Sequence, residues 1–159
     1  MTFFSNNRAL LMLSFCFLFI ISSCQKNNNN SHDTLKKKPI IGTWKLLTGT
    51  VITEKDTTIT DYTLNIELTK IINESHFAFM KHDLKKDSVR MFLSGGGRSS
   101  IEGTTYTEYL DFCSYREWEN NTFHFEFTIS NDTLITKGIE KIEALNVNQL
   151  NIEKYIRIN

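Results

Sequence analysis

Residues 122–142, TFHFEFTISNDTLITKGIEKI, decide the fold class. Phe123, Phe125 and Phe127 alternate with polar residues, which is the pattern of a strand with one buried face. Asn131-Asp132 follows, and these residue types favour the tight turn of a hairpin. A second alternating run completes the segment. The stretch therefore predicts two antiparallel strands joined by a short turn.

The same pattern extends in both directions from this hairpin. From residue 40 onward the chain has no proline and is rich in threonine, isoleucine, phenylalanine and tyrosine, as strands prefer. Asn, Asp and Gly separate the alternating segments. We predict eight strands, near residues 40–51, 58–69, 75–81, 88–99, 104–114, 122–130, 133–142 and 147–158. Eight sequential strands favour an all-β, antiparallel up-and-down barrel, because closure leaves no exposed edge. This barrel domain is expected to span residues 40–159.

A different kind of segment precedes the barrel. Residues 9–21 are almost wholly apolar, follow Arg8, and are too short for a spanning helix, which needs about twenty residues. The order of charged, apolar and small residues is typical of a signal peptide. Ile21–Cys24 resembles the bacterial lipobox. This resemblance implies that residues 1–23 are cleaved and that Cys24 carries acyl chains such as palmitate.

Residues 24–39 are then the lipidated N-terminus and a linker. The sequence QKNNNNSHDTLKKKP at 25–39 is polar and of low complexity, which is typical of a disordered tether. The predicted location is the cell envelope, with the acyl chains in a membrane, most simply the outer membrane. Gln25-Lys26 resembles the start of a surface-export signal, but Asn27–Asn30 replace its acidic residues. The periplasmic and the surface face therefore both stay open.

Composition excludes several functions. The chain carries 18 basic and 18 acidic side chains, so it lacks the basic excess of a nucleic-acid binder. Cys113 is the one cysteine left after signal cleavage and lipidation, so no internal disulfide is expected. The histidines lack metal-ligand spacing, and no nucleophile or phosphate-loop motif is present. We therefore expect no metal, no cofactor and no enzymatic activity.

Two features resemble a known family. Gly42-Thr43-Trp44 on the first predicted strand resembles the G-x-W signature of lipocalins, and Arg157 on the last strand matches the arginine that packs across that tryptophan. Gly96-Gly97 and Tyr106–Tyr109 look like small lipocalin-like lipoproteins of Bacteroidetes. The resemblance covers residues 40–158. It implies a lipocalin-like barrel, a structural role for Trp44 and Arg157 at its base, and ligand binding by analogy.

The hairpin of strands 88–99 and 104–114 indicates where a pocket would lie. A two-residue turn at Glu102-Gly103 predicts the inward-facing pairs Ser99 with Tyr106, Gly97 with Glu108, Gly95 with Leu110, and Leu93 with Phe112. Glycines beside Glu108 would leave a void with a polar anchor, as in a small-molecule site. Alternatively, the glycine run is a bulge that helps the barrel to close. Glu108 would then need a cationic partner, for which Arg98 and Lys154 are candidates.

The leading prediction is a barrel that binds a small apolar or amphipathic molecule. The expected ligand-binding residues are Ser99, Tyr106, Glu108, Leu110, Phe125, Phe127 and Lys154, with Gly95 and Gly97 as structural residues. A filled barrel that binds an envelope protein through Tyr109, Trp118 and Arg98 is one alternative. A small enzyme that uses Glu108 as general acid or base is another.

Overall fold

The alternating segments form nine strand segments and two short 3₁₀ turns in a computed structural model that describes residues 38–85 and 91–158. The predicted signal peptide, Cys24 and nearly all of the predicted linker lie outside these residues. The 3₁₀ turns span Arg116–Trp118 and Glu143–Leu145. The strands are β1 (Gly42–Ile52), β2 (Thr57–Asp61), β3 (Ile66–Ile72), β4 (His76–Asp83), β5 (Phe92–Glu102), β6 (Thr105–Cys113), β7 (Asn121–Ser130), β8 (Thr133–Ile142) and β9 (Val147–Ile158).

The strands close into a barrel with eight positions around its circumference. From β3 to β9 each strand pairs with the next in the chain, and β1 pairs with β9 to close the sheet. Every pairing is antiparallel, and β2 and β3 both pair with β1, along different halves of it. They thus form one strand of the barrel, interrupted at residues 62–65. The predicted eight-stranded, antiparallel up-and-down barrel is confirmed.

Trp44 and Arg157 lie together at the closed end of the barrel, where β1 begins and β9 ends. The Trp44 indole Nε1–H donates to the Ile40 carbonyl at 2.8 Å. The Arg157 Cζ atom lies 4.0 Å from the centre of the Trp44 ring. The same guanidinium donates hydrogen bonds to the carbonyls of Ile41 and Pro39 at 3.0 and 2.5 Å. These hydrogen bonds satisfy the backbone carbonyls of residues 39–41, which directly precede β1.

The hairpin of β5 and β6 differs from its predicted register by two residues. Glu102 pairs with Thr105, so the turn lies at Gly103-Thr104, where Gly103 has a φ of 60°. A shift by two keeps each residue on its predicted face, because side chains alternate with a period of two. Ser99 consequently lies opposite Glu108, in the position predicted for Gly97.

The hairpin has a bulge opposite the glycine run: two residues of β6, Leu110 and Asp111, lie opposite the single residue Gly97 of β5. The register shifts between Gly96 and Arg98, and a Cβ on Gly97 would overlap the Tyr109 carbonyl oxygen. The shift reverses the faces beyond it, so Phe112, predicted to point inward, is 72% exposed. Arg98 stays outside, where it forms an ion pair with Asp111 at 2.9 Å. Placing Arg98 beside Glu108 was therefore wrong.

Candidate functional site

The barrel is filled at its closed end and hollow toward the other. Trp44, Tyr106, Leu134 and Tyr155 are completely buried in the filled part. The hollow part contains a cavity of about 360 Å³, within the range of about 300–1,000 Å³ of small-molecule sites. Its apolar wall comes from Leu68, Phe79, Leu93, Leu110, Phe123 and Phe125, with Trp118 from the first 3₁₀ turn.

A second part of the cavity wall is polar. Glu140 of β8 and three residues of β9, Gln149, Asn151 and Glu153, line it. In the order of the eight positions, β8 and β9 lie half-way around the barrel from β4 and β5. Phe79 of β4 and Leu93 of β5 therefore face the polar residues of β8 and β9 across the cavity, which is an arrangement that suits an amphipathic molecule.

A buried ion pair forms part of the cavity surface. Lys70 Nζ of β3 lies 2.8 Å from Glu108 Oε1 of β6 and 3.5 Å from Glu153 Oε2 of β9. Only 7% of the Lys70 side chain and 8% of the Glu108 side chain are exposed. The Tyr155 hydroxyl donates to Glu153 at 2.6 Å, and Lys70 Nζ lies 5.6 Å from the centre of the Tyr155 ring. The Lys70 ammonium on β3 thus connects β6 and β9 through its two ion pairs.

Burial and charge set the protonation of this pair. Burial opposes a charged Lys70, but the carboxylates of Glu108 and Glu153 outweigh it and hold the pKa of the lysine well above its ordinary value. Burial likewise raises the pKa of Glu108, and the Lys70 ammonium offsets part of this rise. Because Lys70 stays protonated, Glu108 keeps a cation at hydrogen-bond distance.

Glu140 differs from the other two carboxylates because its hydrogen-bond partners are neutral. Gln149 Nε2 donates to one carboxylate oxygen at 2.8 Å and Asn151 Nδ2 donates to the other at 3.0 Å. Burial raises the pKa of Glu140, and the Gln149 hydrogen bond opposes that rise. Among residues 38–85 and 91–158, no lysine, arginine or histidine forms an ion pair with Glu140.

Two buried hydroxyls, Ser99 Oγ and Thr136 Oγ1, have no hydrogen-bond partner among the described residues, and the Tyr106 hydroxyl interacts with Glu108. Tyr106 is completely buried, and burial, followed by the charge of Glu108, raises its pKa. Ser99 faces Glu108 across the β5–β6 pairing. An unpaired buried hydroxyl costs about 1–3 kcal/mol, so the region around Glu108 holds unused hydrogen-bonding capacity.

The predicted ligand-binding residues separate into three groups. Glu108, Leu110 and Phe125 line the cavity. Ser99, Tyr106 and Phe127 are buried inside the barrel but do not belong to the cavity lining. Lys154 is exposed, so its predicted inward orientation was wrong. The inner face of β9 holds Glu153 and Tyr155, and alternation places Lys154 on the opposite face.

The sequence reasoning missed Lys70, Glu140 and Glu153. Lys70 lies between Leu68 and Ile72 on the inner face of β3, and the need of Glu108 for a cation was the signal that could have drawn attention to it. On β9, half-buried isoleucines occupy the outer face, so the alternation of apolar residues pointed to the wrong side.

Of the residues predicted for a protein-binding surface, two are outside the barrel. Arg98 lies 5.2 Å from the centre of the Tyr109 ring. Trp118 instead lines the cavity, with its ring 6.1 Å from that of Phe123. Cys113 also lines the cavity and is a free thiol.

Comparison of the sequence with protein families and with curated proteins found no match. No protein-family model matches this chain, and no curated protein shows significant sequence similarity to it.

Within the described part of the chain, no helix is long and apolar enough to cross a membrane. The same residues include no group of three or more His, Cys, Asp or Glu side chains arranged to hold a metal ion. The closed eight-stranded barrel is compatible with a lipocalin-like fold.

Proposed function

We propose that this chain is a lipid-anchored lipoprotein of the cell envelope whose lipocalin-like barrel binds a small amphipathic molecule. The cavity of about 360 Å³ supports this proposal, because apolar and aromatic side chains line it together with a polar patch on β8 and β9. The filled closed end supplies a core that does not depend on the cavity being occupied. The partners would be a membrane, through the acyl chains on Cys24, and the small molecule.

Binding explains the cavity better than catalysis does. Glu108, the residue that would act as general acid or base, is held by Lys70 at 2.8 Å. A general base needs a free lone pair within reach of its substrate, and here the buried ammonium competes for it. We therefore propose a protein without enzymatic activity.

A cavity-filling variant tests the binding proposal. Leu93 lines the cavity, whereas its neighbour Phe92 is exposed on the outside of β5. Full-length wild type, Leu93→Trp and Phe92→Trp would be purified from the native membrane, and organic extracts of each would be compared by mass spectrometry. We expect a compound that co-purifies with wild type and Phe92→Trp and is depleted in Leu93→Trp. Equal amounts in all three would contradict binding in the cavity.

The lipid anchor has its own test. Cells would be labelled with an alkyne analogue of palmitate, and the purified chain would be examined for the label. We expect labelling of wild type and of Cys113→Ser, and loss of labelling in Cys24→Ser. Label that persists in Cys24→Ser would refute attachment at this residue.

A second function is favoured by the outer surface. Phe112 and Met80 flank a groove over the glycine run of β5, and Phe112 is the most exposed large hydrophobic residue of the described chain. Exposed apolar patches often mark protein contacts. An envelope protein bound there, beside Arg98 and Tyr109, would leave the extraction experiment unaffected and would be weakened by Phe112→Ser.

A further inference from the structure

Glu140 is the carboxylate of the cavity that forms no ion pair with a lysine among the described residues. Among the described residues, Glu108, Glu140, Glu153, Lys70 and Lys81 are the charged side chains that line the cavity. Lys70 lies within ion-pair distance of both Glu108 and Glu153. Lys81 Nζ lies 5.3 Å from the centre of the Tyr62 ring. The remaining carboxylate is held only by neutral amides.

The two amides fix Glu140 in one orientation. Gln149 lies opposite Glu140 in the β8–β9 pairing and Asn151 is two residues further along β9, so their side chains share the inner face with it. Each donates an N–H to a different carboxylate oxygen. This pattern suits an ionised carboxylate, which only accepts hydrogen bonds. Each oxygen keeps further acceptor capacity for a donor within the cavity.

One further observation points to a ligand with a cationic head and an apolar body. Phe79, Phe123 and Trp118 form an aromatic part of the cavity wall. Phe79 lies on β4, across the barrel from Glu140, and Phe123 lies on β7, beside the strand of Glu140. Aromatic faces attract organic cations as well as apolar groups.

We propose that the cavity selects organic ammonium amphiphiles, with the ammonium group on Glu140 and the apolar body against the aromatic wall. This inference rests on the proposed binding function and specifies its ligand class. Three carboxylates line the cavity, so an anionic amphiphile such as a fatty acid would meet an excess of like charge. A neutral alcohol would meet no repulsion, but it would lack the charge-assisted hydrogen bond that an ammonium donates.

The test uses three probes that share one apolar body: 2-(1-naphthyl)ethylammonium, 2-(1-naphthyl)ethanol and 1-naphthylacetate. Each would be titrated at pH 7 into the full-length chain in one nonionic detergent, so that partitioning of a probe into the detergent is the same for every variant. We expect the ammonium probe to bind about 10- to 100-fold more tightly than the alcohol, which is the range for a hydrogen bond to a charged group. The acetate should bind most weakly.

Two variants assign the preference to Glu140. Glu140→Gln should bind the ammonium probe about 10-fold or more weakly, while its affinity for the alcohol stays within about twofold. Glu143→Gln removes the same charge three residues away, where 83% of the side chain is exposed and pairs with Lys141. It should behave as wild type does.

The outcomes separate this inference from the binding proposal. If the alcohol or the acetate binds as tightly as the ammonium, and Leu93→Trp abolishes that binding, the cavity binds ligands and the ammonium assignment is wrong. A preference for ammonium that survives in Glu140→Gln would also overturn the assignment. If none of the three probes binds to wild type, the proposed function fails together with the inference.

Discussion

Replacing Lys70 by methionine should destabilise the barrel more than any single change on its surface. The substitution keeps the length of the side chain but removes the cation that lies 2.8 Å from Glu108 and 3.5 Å from Glu153. At an effective dielectric constant of about 20, these separations correspond to gross attractions of roughly 6 and 5 kcal/mol. The cost of burying the charges cancels much of this attraction, and breaking a buried pair costs about 3–5 kcal/mol net.

Urea unfolding of the full-length chain, followed by tryptophan fluorescence, measures this cost. With a slope of about 2 kcal/mol per molar urea, a loss of about 4 kcal/mol lowers the midpoint by about 2 M. Lys154→Met is the matched control, because that lysine is exposed, and surface substitutions change stability by about 0.5 kcal/mol or less. The double variant Lys70→Met/Glu108→Gln should recover part of the loss, because it removes the unpaired carboxylate.

The loss in Lys70→Met should also depend on pH. Burial raises the pKa of Glu108 in the folded protein and Lys70 offsets part of that rise, so removing Lys70 increases the difference from the unfolded chain. Between the two pKa values the folded state binds more protons, and its stability falls as pH rises. The gap between wild type and Lys70→Met should therefore narrow as pH falls from 8 toward 5. The reasoning is refuted if Lys70→Met costs less than about 1 kcal/mol, or if the gap widens with acid.

Three further outcomes are expected. Gly97→Ala should unfold at lower urea concentration by about 1 M or more, because its Cβ would overlap the Tyr109 carbonyl oxygen; an unchanged midpoint would contradict the bulge geometry. Arg157→Ala should cost about 2 kcal/mol and increase acrylamide quenching of Trp44, because it removes two hydrogen bonds and the cover of the indole. Binding of the ammonium probe should weaken as pH falls, with a midpoint above the ordinary pKa of a glutamate, because burial raises the pKa of Glu140; binding of the alcohol probe should stay constant.

The faces of the β5–β6 hairpin could be predicted from sequence although its exact pairing could not. The turn lies at Gly103-Thr104, two residues from the expected register, and a displacement by an even number leaves each side chain on the same face. Glu108 and Leu110 therefore point inward as predicted. The bulge opposite Gly97 inserts one residue into β6, and a displacement by an odd number reverses the faces of the residues beyond it, which places Phe112 outside.

The acidic wall could not be predicted by the same reasoning. Alternation assigns the apolar residues of a strand to the interior, but the inner face of β9 carries Gln149, Asn151 and Glu153 because it borders a cavity. Lys154 was assigned to the interior for this reason. Lys70 was missed because it is 38 residues from Glu108 in the chain, and their contact depends on how the barrel closes.

The division of the barrel into a filled end and a hollow end explains how the fold can accommodate a cavity with buried charges. Trp44, Leu134 and Tyr155 are completely buried at or near the filled end, and full burial of a large apolar side chain contributes about 1.5–3 kcal/mol. The hollow end lacks such packing, and burying its carboxylates costs free energy of folding. Lys70 forms ion pairs that offset part of this cost for Glu108 and Glu153. Glu140 has no ion-pair partner among the described residues, so part of the cost of burying it remains. A cation bound at Glu140 would offset that remaining cost. The ammonium probe should therefore raise the urea midpoint of the wild type more than it raises the midpoint of Glu140→Gln.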